Sequence, residues 1–159
     1  MNKRALIKKI VAQLEAELAL LTKAARAAHA EATHESSKAE NKYDTRGLEA
    51  SYLARGQSKL AAEAVQAIEE FNALAVRAFG SADAIQIGAL VELASQTERA
   101  VYFIGPRAGG TEVVQDKREV LVITPQSPLG RQLMGRKVGE KLKLALAGST
   151  SEFKIASVA

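Results

Sequence analysis

Apolar and small residues recur at Ile7, Val11, Leu14, Leu18, Leu21, Ala25, Ala28 and Ala32, with steps of four and three alternating without a slip. That is a heptad seam, narrower than a general amphipathic stripe. No glycine or proline interrupts the chain between Met1 and Arg46. The pattern predicts one helix of about 30 residues, roughly 45 Å long at 1.5 Å per residue. A second seam follows the same alternation through Leu60, Ala64, Ala67, Phe71, Leu74 and Ala78, with Leu53 one heptad upstream and polar Gln57 between. Gly80 is placed to end that helix, since glycine accommodates the left-handed residue that follows many helix C-termini. Two long helices joined by a short polar segment predict an antiparallel hairpin. The first seam passes from large residues to alanines as it nears the turn, so the hairpin is expected to narrow towards its tip, a form suited to a probe.

Beyond Gly80 the period changes to two. Strands are predicted over 87–93, 100–105, 119–124, 141–146 and 152–158, with glycine- or serine-bearing turns between them. One helix interrupts the series: Ser127 suits an N-cap, Pro128 the first helical position, and Gly135 the close. The expected fold class is therefore α+β. A coiled-coil hairpin over 1–80, its acidic tip near 35–49, precedes a small antiparallel sheet domain with one short helix over 81–159.

Composition narrows the function. With 47% apolar and 25% charged residues in 159, the chain has the makings of a folded protein. The net charge of +4 allows an acidic partner without specifying nucleic acid. Cysteine is absent, which excludes disulfides, thiolate zinc sites and cysteine nucleophiles. The basic start, Met1-Asn2-Lys3-Arg4, is followed by no apolar core of a signal peptide, because Lys8 and Lys9 break it. No apolar run approaches the roughly 20 residues that span a bilayer. A soluble cytoplasmic protein with no membrane partner is expected.

The richest chemistry lies in the predicted turn. Glu31, Glu35, Glu40, Asp44 and Glu49 fall close together there, interleaved with Lys38, Lys42 and Arg46. Carboxylates are hard ligands suited to Mg²⁺, which commonly takes one or two from protein and keeps several waters. A solvated turn of mixed charge would have the same composition.

Glu40-Asn41 and Tyr43 resemble the tip of the Gre transcript-cleavage factors, GreA and GreB, where a glutamate-asparagine pair is followed closely by tyrosine. Here the tyrosine stands one residue nearer, and Ser37 occupies the position of the family's aspartate. The run Ser127-Pro128-Leu129-Gly130-Arg131-Gln132-Leu133-Met134-Gly135-Arg136-Lys137, continuing to Gly139-Glu140, is similar to a signature of the family's FKBP-like C-terminal domain. Tyr102-Phe103-Ile104-Gly105 resembles one of that domain's strands.

The resemblance covers the whole chain and implies a monomeric regulator of elongation that enters the secondary channel of bacterial RNA polymerase. It implies Glu40 as the carboxylate that assists catalysis and approaches a metal; Ser37 leaves the family's acidic pair one member short, and Asp44, then Glu35, would replace the missing carboxylate in a differently folded tip. Asn41 and Tyr43 would orient the tip or touch the RNA 3′ end or other nucleic acid of the elongation complex. Ser127, Pro128, Arg131, Arg136 and Lys137 would dock the polymerase. The Mg²⁺ would belong to the polymerase active site, with no cofactor bound tightly to the chain itself. The protein would be a co-catalyst rather than an enzyme.

Other features point less far. The run Gly105-Pro106-Arg107-Ala108-Gly109-Gly110 lacks the lysine-bearing helix of a phosphate loop and reads as a hairpin loop. His29 and His34 are spaced so that they leave the same helix on different faces. Lys3, Arg4, Lys8 and Lys9 make a basic helix start, either solubilising or in contact with polymerase or nucleic acid. A prolyl isomerase would need an aromatic-lined pocket, yet residues 81–159 hold just Tyr102, Phe103 and Phe153 as aromatics. A structural coiled-coil partner is disfavoured by the alanine-rich seam and the polar tip.

Overall fold

The structure, a computed structural model, describes residues 1–34, 46–146 and 149–159. Helix α1 spans Lys3–Thr33 and α2 spans Arg46–Ala73. The chain forms two compact units, one of Met1–Val11 with Glu70–Ala159 and one of Ala12–Glu69. The expected boundary near residue 80 is thus not where the units divide, because the first turns of α1 and the last turn of α2 join the sheet.

In α1 every seam position is at least partly covered: Ile7, Val11, Leu14 and Ala28 are buried, and Leu18, Leu21, Ala25 and Ala32 are half-buried. The α2 seam departs from expectation. Ala50, Ala54, Ala64, Ala67 and Phe71 are buried, and Gln57, Ala61 and Ile68 are half-buried. Leu53 and Leu60 are instead 56% and 47% exposed. The covered stripe keeps the four-three alternation but, alongside those leucines, runs largely through alanines. Alanine seams let helices approach closely, whereas leucine holds them apart. Helix α2 also stops at Ala73 rather than at Gly80, and in the non-helical stretch that follows Phe79 is buried while Ala78 is exposed.

In the other unit six strands form one sheet. They are β1 Leu90–Ala94, β2 Arg99–Ile104, β3 Glu112–Gln115, β4 Arg118–Ile123, β5 Lys141–Leu146 and β6 Ser149–Val158. The spatial order is β3-β4-β2-β1-β6-β5. Four pairings are antiparallel, but β2 and β4 run parallel, so the sheet is mixed. The expected series lacked β3. That strand turns into β4 through Asp116 and Lys117, whose φ values of 52° and 61° are those of a tight hairpin turn built without glycine. The run after Gly105 accordingly leads to β3 across the position of β4, so it is a crossover and not a hairpin loop. Helix α3, Pro128–Leu133, begins as expected at the Ser127 cap.

Strand alternation puts buried residues on both faces of the sheet. Val91, Leu93, Tyr102, Ile104, Ile123, Leu142, Leu144, Phe153 and Ile155 share one core with Leu133 of α3. The opposite face carries Val101, Phe103, Val120 and Val122, all buried. There the Phe71 ring stacks on Phe103 at 6.3 Å between centroids. A side chain at Gly105 would collide with Phe71 and Val122 at 2.8 Å, which fixes how closely α2 approaches β2. The start of α1 is tied to the same unit where Lys9 Nζ donates to the Val114 carbonyl at 2.8 Å and Gln115 Nε2 to the Asn2 carbonyl at 3.0 Å.

Candidate functional site

The motif 127–140 shows how its residue types build a rigid corner. Ser127 Oγ accepts from the Gly130 amide at 3.0 Å and donates to the Thr124 carbonyl at 2.8 Å. Such a cap satisfies a donor that the helix start would leave unpaired. Gly130 lies against the strand end, where a Cβ would come within 1.9 Å of the Thr124 carbonyl oxygen. Gly135 and Gly139 take φ values of 80° and 93°, which glycine adopts without the penalty of a side chain. The corner is then sewn to the sheet unit: the Gly135 amide donates to Ile85, the Ile85 amide to Arg136, and the Gly139 amide to Ile155.

Of the expected docking residues, Ser127 and Pro128 form the cap and first turn of α3. Arg136 is held internally, with Nε donating to the Gln132 carbonyl at 2.7 Å and Nη1 to Glu140 Oε2 at 3.2 Å. Glu140 also accepts from the Lys137 amide at 2.9 Å. The side chains of Arg131 and Lys137 are exposed. The corner therefore presents those two cations to solvent while its other polar groups fix its shape.

The basic start of α1 is also partly engaged. Lys3 Nζ donates to the carbonyls of Arg77 and Gly88 and lies 4.6 Å from the centre of the Phe79 ring. Burial, then the neighbouring Arg77 charge, lowers its pKa. Arg77 sits over the same ring at 4.2 Å. Lys9 is held by β3, as described above. These contacts give both lysines a structural task.

Sequence reasoning missed a charged cluster on the sheet. Glu92 Oε1 accepts from Arg118 Nη2 at 2.7 Å and from Arg99 Nη1 at 3.1 Å. Those bonds, led by that from Arg118 and opposed by burial, hold the carboxyl below its ordinary range. The three residues lie on three strands, and pairing of that kind has no local signature in a sequence.

Residues 80–159 match the family described as Transcription elongation factor, GreA/GreB, C-term. The chain belongs to the GreA/GreB family. Within it, the 127–140 corner and the whole sheet fall inside the matched region. Similar solved structures include Thermus aquaticus Gfh1, 25% identical, with 95% of this chain and 92% of that one covered and a TM-score of 0.41. The GreA factor homolog 1 (Gfh1) protein of Thermus thermophilus is 24% identical, with 94% of each chain covered and a TM-score of 0.39. A GreA/GreB elongation factor from Nitrosomonas europaea is 16% identical, covering 70% of this chain and 93% of that chain, with a TM-score of 0.38. No curated protein matches the chain by sequence.

The expected tip residues, Glu35, Ser37, Glu40, Asn41, Tyr43 and Asp44, lie outside the described residues. Glu31 stands in the last turn of α1 and Glu49 in the first turn of α2, so the helices flank that segment. Among the described residues no group of three or more His, Asp or Glu side chains is arranged to hold a metal. Tyr102, Phe103 and Phe153, the aromatics that an isomerase pocket would need, are each under 7% exposed. Among the described residues no helix is long and apolar enough to cross a membrane.

Proposed function

We propose that this Gre-family factor binds bacterial RNA polymerase and brings the carboxylates of residues 35–45 to the polymerase active site through its secondary channel. The family match carries the reading. Two helices of 31 and 28 residues, joined through that segment, support it. Carboxylate oxygens suit Mg²⁺, and a Mg²⁺ held at the polymerase centre supplies an activated water for phosphodiester hydrolysis. Glu40 is the first carboxylate directed to that ion and Asp44 the second, with Glu35 nearby. Asn41 and Tyr43 orient the segment against the RNA 3′ end. The chain acts as a co-catalyst: it supplies charge to a site that it does not itself contain. Arg131 and Lys137, exposed beside the rigid α3 corner, are its docking cations.

The test is release of short RNA from stalled, backtracked elongation complexes on adding the protein with Mg²⁺. Stimulated release is expected, and Glu40→Ala should reduce it about 100-fold, the scale of losing one transition-state electrostatic contact. Release that survives Glu40→Ala unchanged would remove the metal assignment. Ser37 favours a second reading, in which the tip occupies the channel without cleavage. Under that reading the wild-type protein slows nucleotide addition, releases no RNA, and acquires cleavage on Ser37→Asp.

A further inference from the structure

On the sheet face opposite the α3 core, the end not covered by Phe71 is cationic. Strand alternation puts Arg99, Lys141, Lys143 and Lys154 on this face, because their neighbours Ala100, Leu142, Leu144, Phe153 and Ile155 all turn to the other side, and Arg118 shares it with Val120 two residues on. The carboxylates among them are Glu92 and Glu152. Ala94 pairs with Arg99 on one side and Lys154 on the other, and Lys154 pairs with Lys141. Val101 pairs with Val120 in parallel register, which sets Arg118 beside Arg99. One cross-strand row therefore reads Arg118, Arg99, Ala94, Lys154, Lys141. With strands roughly 4.8 Å apart, it runs about 19 Å in a line.

The row is ordered. Glu92 draws both guanidiniums to a single oxygen, using one N–H of each, so most of their five donors stay available. Lys141 is similarly positioned by Glu152 at 2.8 Å. Arg99 and Lys141 remain 71% and 64% exposed. Lys143 and Lys154 are exposed too. Among the described residues the face offers no exposed aromatic ring on which an unpaired base could stack. A line of fixed cations without stacking groups fits a regularly spaced phosphate backbone better than a single strand.

We propose that this row, together with Lys143 on the same strand as Lys141, binds the phosphate backbone of duplex DNA without sequence preference, neutralising about three phosphates. The interaction does not rest on the tip, and its test needs no polymerase, so either reading can fail while the other stands.

Fluorescence anisotropy of the full chain with a labelled 20-base-pair duplex, titrated from 50 to 200 mM NaCl, tests it. With about three phosphates neutralised, the logarithm of affinity should fall against that of salt with a slope near −3. The double variant Lys143→Ala/Lys154→Ala leaves the core untouched; it should weaken binding about tenfold at low salt and flatten the slope by about 2. Lys23→Ala/Lys59→Ala, the same charge loss on the helical unit, should change affinity less than twofold. Equal effects of the two pairs would reduce the row to bulk charge and overturn it. Tighter binding of a single-stranded RNA of equal length would overturn the duplex assignment. So would binding of polyglutamate with the same Lys143 and Lys154 dependence when the duplex does not bind, a result that points to an acidic protein instead.

Discussion

The two units bury different kinds of residue. In the sheet unit the fully covered side chains include Phe71, Phe103, Phe153, Leu6, Ile10 and Leu133. Among the described residues of the helical unit the buried hydrophobics are Leu14 and the alanines 28, 50, 54, 64 and 67. A buried large apolar side chain contributes about 1.5–3 kcal/mol and an alanine far less. The sheet unit has the core of an ordinary stable domain, while the helical unit depends on backbone hydrogen bonding and close approach. Stability is thus concentrated in the sheet unit.

Glycine gives the sharpest way to break that comparison, because the same substitution should act oppositely in the two units. Gly130→Ala puts a Cβ 1.9 Å from a backbone oxygen that no rotamer change can move. The corner must then open, at a cost of about 3 kcal/mol or more. Hydrogen exchange should accelerate throughout β4, α3 and β5 while peptides of residues 12–34 keep their protection. Exchange unchanged in the sheet would show that the corner is soft, against the contacts described.

Gly56 is the counterpart. It lies inside α2, and nothing stands within 4 Å of the place a Cβ would occupy. Gly56→Ala should stabilise the helix by about 0.8–1 kcal/mol by removing backbone freedom from the unfolded chain. Exchange within residues 50–62 should slow about fourfold. A loss of protection would mean that the helical unit needs the glycine as a close-contact surface.

These contrasts also explain which parts of the fold could be read in the sequence. The α1 seam is unambiguous because its large residues lie on the buried face and every seam position from Ile7 to Ala32 is at least partly covered. In α2 the leucines draw the eye to Leu53 and Leu60, whereas alanines make up most of the covered stripe; hydrophobic size misleads where close approach governs. Strand β3 is short, and its turn uses Asp116 and Lys117 where a glycine would have marked it. The parallel pairing of β2 with β4 depends on residues far apart in the chain. The α3 corner was readable to the residue, since cap, proline and glycine act locally. At the candidate site the sequence supplied the tip carboxylates, which lie outside the described residues, while the Glu92 cluster required the sheet to be assembled first.

That cluster yields the smallest expected effect, and it sharpens the account of the sheet unit. The Glu92 side chain is 15% exposed and accepts from two arginines. Its pKa is lowered on folding, so its contribution to stability is complete above the unfolded carboxylate value near 4.3 and disappears as pH falls through the lower folded value. Glu92→Gln keeps the shape and stays neutral at every pH. Wild type should therefore exceed the variant by about 1 kcal/mol at pH 7 in urea unfolding followed by near-ultraviolet circular dichroism. The difference should hold down to about pH 5 and shrink steadily below pH 4. A gap that stayed constant to pH 2.5 would assign it to side-chain packing and not to the charge that aligns Arg99 with Arg118.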